Sequence, residues 1–94
     1  MSESRLQTKC LKEARRLGVW ARNITTPAYS GMADCMFLYD GRVLFVEFKN
    51  PNKKGRLSPL QVVDHERLRA VGHYVLVIDD YSEFTDRLWL FMQE

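Results

Sequence analysis

The chain has 94 residues, 46% hydrophobic and 28% charged, which is the balance of an ordinary globular protein and predicts one domain spanning residues 1–94. Its apolar runs are too short to cross a membrane, and its start, MSESRLQTKC, lacks the apolar region of a secretion signal, so we expect a cytoplasmic protein without membrane contacts. A net charge of +2 excludes little, but the stretch KNPNKKGR carries four basic side chains and no acid, which is compatible with phosphate contacts.

An amphipathic helix is predicted for residues 4–17. Apolar side chains recur at helical spacing and are expected to face inward, namely Leu6, Cys10, Ala14 and Leu17. Gly18 is a natural helix stop. A short strand over residues 19–24 and a loop, TTPAYSGMA, follow.

The segment DCMFLYDGRVLFVEFK predicts a β-hairpin. Two strand-forming runs flank Asp40-Gly41, which is a strong signal for a two-residue turn. Counting outward from this turn places Asp34 opposite Glu47, and opposed residues share a face of the sheet. Lys49 lies two residues beyond Glu47 and projects from that same face. A bulge or a three-residue loop would break this register.

Two opposed carboxylates need a partner, because like charges facing each other across a ladder are destabilising. A divalent cation between them is the simplest remedy, and carboxylates with water ligands suit Mg²⁺. Beside such a cation, Lys49 could stabilise charge developing on a phosphate or orient the attacking water. The same spacing also fits a plain salt bridge between Glu47 and Lys49 on a solvated sheet end.

The sequence Ser58-Pro59-Leu60-Gln61 predicts the start of a second helix, with Ser58 as N-cap and Gln61 closing a capping box. The helix is expected to run to about Val71. We predict that its apolar side chains face the sheet, namely Leu60, Val63, Leu68 and Val71.

The nearly continuous apolar run YVLVI, residues Tyr74–Ile78, predicts a central strand that is covered on both faces. A final helix, SEFTDRLWLFM, is predicted with Ser82 as its cap. Its apolar surface exceeds what a small sheet can cover, which favours a homodimer. The predicted fold is α/β, with the order α-β-β-β-α-β-α and a mixed four-stranded sheet flanked by helices.

Three motifs, SGMAD, FVEFK and GRLSPLQ, together resemble the PD-(D/E)xK nuclease superfamily, and more narrowly a small stand-alone VRR-Nuc domain of the phage and bacterial type. The resemblance covers residues 3–79. It implies a restriction-endonuclease-like αβββαβ core and an endonuclease that uses Mg²⁺ or Mn²⁺ to hydrolyse phosphodiester bonds of DNA. A further likeness to Holliday-junction resolvases implies a homodimer acting on branched or otherwise structured DNA. Ala33 stands where the family usually has a proline. That proline reflects a structural preference and does not bind the metal.

The resemblance also implies roles for individual residues. Asp34 and Glu47 match the metal-binding carboxylates, Lys49 matches the catalytic lysine, and the main-chain carbonyl of Phe48 matches a further metal ligand. Gln61 matches a glutamine that faces the active site, although its place in the capping box is a sufficient reason for a glutamine there.

The family often adds a glutamate from the first helix. We predict Glu3, which projects close to the centre of the apolar stripe, whereas Glu13 lies well to one side of it. Gln7 is a polar alternative. Ser4 and Gln7 could instead cap the helix and leave Glu3 outside it.

Lys53, Lys54 and Arg56 leave the strand of the motif and are predicted to contact DNA phosphates. His65 follows Gln61 by one helical turn, a position that fits either a surface histidine or one that reaches the edge of the site. No segment reads as a base-recognition helix, which favours recognition of DNA shape over sequence. The alternative function is a nucleic-acid-binding or interaction module without catalysis, against which the complete Asp/Glu/Lys set argues.

Overall fold

A computed structural model describes residues 1–24, 31–52 and 56–94. The described residues form three helices and one sheet in the predicted order: α1 (Glu3–Arg16), β1 (Trp20–Asn23), β2 (Cys35–Tyr39), β3 (Arg42–Phe48), α2 (Pro59–Ala70), β4 (Tyr74–Ile78) and α3 (Tyr81–Gln93). Among these residues, no helix has the length and apolarity needed to span a bilayer.

The sheet has the strand order β1-β2-β3-β4 and is mixed, as predicted. β1, β2 and β3 pair antiparallel in sequence, and β4 pairs parallel to β3. The prediction of a central position for β4 is wrong, since this strand lies at the edge. β4 is nevertheless apolar because helices cover both of its faces: Val75 and Ile78 are buried in two different clusters on opposite sides of the sheet.

The hairpin forms as predicted. Asp40 and Gly41 both have positive φ, 49° and 77°, which is the backbone geometry of a type I′ turn. The paired residues run without a bulge from Tyr39 opposite Arg42 to Cys35 opposite Val46. One further step along this register places Asp34 opposite Glu47.

One face of the sheet is covered by α1 and α3 and forms the main hydrophobic core. Phe84 of α3 lies at its centre, with its ring centroid 5.4 Å from that of Phe37 and 6.0 Å from that of Phe48. The buried members from the strands alternate along them, as expected for one face of a sheet. They include Ala21, Cys35, Phe37, Leu44, Val46, Phe48 and Ile78.

The starts of two helices differ from the sequence prediction because other side chains cap them. Ser2 is the N-cap of α1 and accepts a hydrogen bond from the backbone N of Arg5, so Glu3 lies inside the helix. Leu17 is the C-cap and is exposed, contrary to its predicted inward position. Asp80, not Ser82, caps α3, because its Oδ2 accepts a hydrogen bond from the backbone N of Glu83 at 2.9 Å.

The opposite face of the sheet is covered by α2, and the predicted orientation of this helix is wrong. Leu60, Val63 and Val71 are 56%, 42% and 72% exposed, and of the four predicted inward residues only Leu68 packs against the sheet. The side chains that α2 turns toward the sheet are at least half-buried and recur at i, i+3, i+4 and i+7, namely Gln61, Asp64, His65 and Leu68. This inward face is polar because β3 presents polar side chains to it.

Candidate active site

Three motif residues lie together where β2 begins and β3 ends, on the face covered by α2. Glu47 is 2% exposed. Asp34 is tied to β3 because its Oδ2 accepts a hydrogen bond from the backbone N of Phe48 at 2.9 Å. This hydrogen bond lies just beyond the last paired residues of the hairpin. It brings the carboxyl groups of Asp34 and Glu47 close together.

The Glu47 carboxyl group is strongly perturbed. Burial, followed by interaction with the Asp34 carboxyl group, raises the pKa of Glu47 to about 8, although Lys49 acts in the opposite direction. Glu47 Oε1 is buried and has no hydrogen-bond partner among the described residues. A second negative charge is therefore poorly tolerated here without additional positive charge.

Lys49 is held in place at both ends. Its backbone N donates a hydrogen bond to Ile78 O at 2.8 Å, and its Nζ donates to Gln61 Oε1 at 3.2 Å. The Nζ also lies 3.7 Å from Glu47 Oε2, and the Lys49 side chain is only 14% exposed. The pair is thus largely buried, in contrast to a salt bridge on a solvated sheet end.

Gln61 has both of the contacts considered from the sequence. Its Oε1 accepts a hydrogen bond from the backbone N of Ser58 at 2.9 Å, and its own backbone N donates to Ser58 Oγ, which completes the capping box. The same Oε1 accepts the bond from Lys49. The start of α2 is therefore connected directly to the motif strand.

The sequence allows His65 either a surface position or one at the edge of the site, and the structure excludes the surface position because His65 is fully buried. Its Nε2 lies 3.8 Å from Glu47 Oε1. Four residues of a helix span about 6 Å, and two residues of a strand span about 6.6 Å. Side chains four apart on α2 can therefore face side chains two apart on β3. Gln61 meets Lys49 and His65 meets Glu47. This match of spacings was available in the sequence as a signal for His65.

A close approach between the chain and α2 explains why the SGMAD motif has a glycine, Gly31. A Cβ at this position would lie 2.7 Å from Leu60 O, closer than real Cβ contacts allow, and 3.2 Å from Asp64 Cβ, which is tighter than most such contacts. The segment that leads to Asp34 therefore touches the backbone of α2. Glycine permits this approach, which sets the position of Asp34 relative to α2.

Among the candidates from the first helix, Glu3 is the best placed. It is exposed in the first turn of α1, and its charge is among those that raise the pKa of Glu47. Glu13 instead forms an ion pair with Arg16 at 2.7 Å. Gln7 is half-buried one turn beyond Glu3.

The predicted DNA-contacting residues are only partly described. Lys53 and Lys54 lie outside the described residues, and Arg56 is exposed just before α2. Their contribution stays a prediction.

The carboxylates fit a hard divalent cation. Glu47 Oε1, which is buried and has no partner in the described part of the chain, forms with the neighbouring Asp34 carboxylate a donor set suited to Mg²⁺ or Mn²⁺. In the described part of the chain, no three or more His, Cys, Asp or Glu side chains are grouped so that they could hold a metal ion. Any cation here would therefore need main-chain or water ligands besides Asp34 and Glu47.

Comparisons with known proteins found a curated relative and a solved structure that resemble the chain. No family model matches the chain. A curated protein of Acyrthosiphon pisum secondary endosymbiont phage 1, named "Putative nuclease p44", is 35% identical over 78 residues, which cover 82% of each chain. A solved structure of a VRR_NUC domain superimposes with a TM-score of 0.80 at 28% identity, covering 94% of each chain. The chain therefore belongs to the VRR-Nuc family of nuclease domains, within the PD-(D/E)xK superfamily.

Proposed function

We propose that the whole chain is one nuclease domain, a divalent-metal-dependent endonuclease that hydrolyses phosphodiester bonds of branched or otherwise structured DNA. The observation that carries this proposal is the buried Glu47, which lies opposite Asp34, has a lysine beside it and has an oxygen with no partner among the described residues. Such a site destabilises the protein unless its charges are used, which is typical of catalytic centres.

Asp34, Glu47 and the main-chain carbonyl of Phe48 would hold the Mg²⁺ or Mn²⁺. When bound, the cation supplies Lewis-acid stabilisation of negative charge on the scissile phosphate. The hydrogen bond from Phe48 N to Asp34 keeps the two carboxyl groups at one end of the hairpin. The repulsion between them favours the loaded site over the empty one.

Lys49 supplies a fixed positive charge beside the carboxylates. Gln61 holds its Nζ, so the ammonium group is positioned before the substrate arrives. It stabilises charge on the phosphate and orients the attacking water. Glu3, at the exposed start of α1, is the additional acidic residue at the entrance of the site.

Lys53, Lys54 and Arg56 follow the motif strand and would contact backbone phosphates. Phosphate contacts carry no sequence information, so recognition depends on the shape of the DNA. Such a protein would act in the cytoplasm of a bacterium or a phage-infected cell, where this substrate is found.

A homodimer would allow two symmetric cuts in a branched substrate. Support comes from large apolar side chains that α3 and the edge strand β4 leave exposed, namely Tyr74, Trp89 and Leu90. A free strand edge and exposed aromatic side chains are common features of contacts between copies of a chain.

The test is cleavage of single-stranded, duplex, flap and four-way DNA, with Mg²⁺, with Mn²⁺ or with EDTA. We expect cleavage only with metal, greatest on a branched substrate, and absent for Asp34→Asn. Calorimetry with Mn²⁺ should show binding that the same substitution removes. A folded protein that binds DNA but neither binds Mn²⁺ nor cuts would be the non-catalytic module instead.

A further inference from the structure

We infer that His65 is a positioning residue for the Glu47 carboxylate, which it orients by donating a hydrogen bond from Nε2. The inference rests on the proposed function, because it assigns to His65 the task of preparing a metal ligand. It adds a residue outside the Asp/Glu/Lys motif.

The first support is the pairing of two buried groups that lack other partners. Neither ring nitrogen of His65 has a hydrogen-bond partner among the described residues, and Glu47 Oε1 has none either. The two face each other, with Nε2 3.8 Å from Oε1. Buried donors and acceptors are rarely left unpaired in folded proteins, so each is the natural partner of the other.

The second support is how α2 is held over β3. Gln61 bonds Lys49 on one side of the pair, and Leu68 packs in the cluster of Phe45 on the other. Contacts on both sides of His65 therefore fix the position of α2 along β3. A shift of about 1 Å in either side chain would bring Nε2 and Oε1 to normal hydrogen-bond distance.

The chemistry leaves the carboxylate free to bind a cation. A neutral imidazole has one N–H donor, and a carboxylate oxygen has two lone pairs, so Oε1 can accept from His65 and retain capacity for a metal. Hydrogen bonds to a ligating carboxylate restrict its orientation, and their loss typically costs about 10–100-fold in metal affinity or activity.

The experiment measures Mn²⁺ affinity from the electron paramagnetic resonance signal of free Mn²⁺, without DNA. We compare wild type with His65→Leu, which lacks a donor, and with His65→Gln, whose amide can place a donor near the position of Nε2. We expect affinity to fall about 10–100-fold in His65→Leu and to stay within about threefold of wild type in His65→Gln. His73→Gln, at the only other histidine, is the control and should bind as wild type does.

Circular dichroism establishes that each variant is folded at the temperature of the titration. If His65→Leu does not fold, His65→Gln is compared with His65→Asn, whose shorter side chain cannot reach Oε1; equal Mn²⁺ affinities would overturn the inference. Wild-type affinity in folded His65→Leu would overturn it as well. Failure of the proposed function would look different, since wild type itself would then bind no Mn²⁺ or Asp34→Asn would bind it equally well.

Discussion

The two faces of the sheet bury ionisable groups with opposite consequences. On the face covered by α1 and α3, burial raises the pKa of the Cys10 and Cys35 thiols to about 12, so both stay neutral within an apolar core. On the face covered by α2, the same physical cause raises the pKa of Glu47 to about 8, close to the pH at which a cell operates. Burial keeps the two thiols protonated at cellular pH, whereas it brings the pKa of the Glu47 carboxyl group to a value at which the group can gain or lose a proton.

The difference separates stability from function. Among the described residues, the first face has aromatic and aliphatic side chains in contact and one unpartnered buried polar atom, Arg42 Nε at its rim, whereas the second has four, on Glu47, Asp64 and His65. Unpaired buried polar groups each cost about 1–3 kcal/mol. Substitutions on the first face should therefore reduce stability, while those on the second should reduce activity.

The largest effect on stability is expected for Phe84→Ala. This change empties the centre of the core between Phe37 and Phe48 and should lower the free energy of unfolding by about 3–5 kcal/mol. Urea denaturation measures it. Val63→Ala, on the outward side of α2, is the control and should cost less than about 0.5 kcal/mol. Equal losses for the two would contradict the assignment of the core to the first face.

On the second face, Lys49→Ala should keep the fold and lower metal-dependent cleavage of junction DNA by about 10²–10³-fold, because a preorganised charge at the phosphate is lost. Single-turnover cleavage measures the effect. Lys12→Ala, an exposed lysine of α1, is the matched control. Undiminished cleavage by Lys49→Ala would refute the assignment of this lysine.

Gly31→Ala tests the contact between α2 and the segment that leads to Asp34. Its new Cβ would displace the backbone of α2 at Leu60, so we expect a loss of about 1–3 kcal/mol together with reduced cleavage. The new Cβ of Gly18→Ala would contact none of the described residues, but its backbone is strained by a φ of +89°, so this variant should reduce stability alone. If Gly31→Ala and Gly18→Ala both cleave as wild type does at a temperature where both are folded, the close contact of Gly31 with α2 is not needed for activity.

The smallest expected effect is a gain of stability in Glu47→Gln. Because the pKa of Glu47 is raised in the folded state, the folded protein holds a proton that the unfolded chain loses, and stability falls as pH rises from about 4.5 to about 8. If the substitution recovers about 1 kcal/mol at pH 8, the melting temperature in EDTA should rise by about 4–8 °C. At pH 4 the two proteins should melt nearly alike, and an equal difference at both pH values would contradict this explanation.

Local chemistry made much of the site predictable. The turn at Asp40-Gly41 sets the hairpin register, and the alternation of side chains along a strand then places Asp34, Glu47 and Lys49 on one face. The start of α2 is equally predictable, because the capping box of Ser58 and Gln61 involves only residues that are close in the chain.

The orientation of α2 was not predictable from apolar periodicity. That reasoning assumes that a helix turns its apolar side chains toward the sheet, but here the sheet presents a carboxylate and an ammonium group, and polar side chains meet them. Apolar periodicity consequently does not decide the position of His65, and it predicts the wrong side of α2 for Leu60, Val63 and Val71.

The order of the elements, the hairpin and the grouping of the acidic motif residues follow from the amino-acid sequence, since they depend on contacts between residues close in the chain or on the two-residue period of a strand. The edge position of β4 and the position of His65 against Glu47 become evident only in the folded chain. Both depend on the surface that each element packs against, and that surface is assembled from distant parts of the chain.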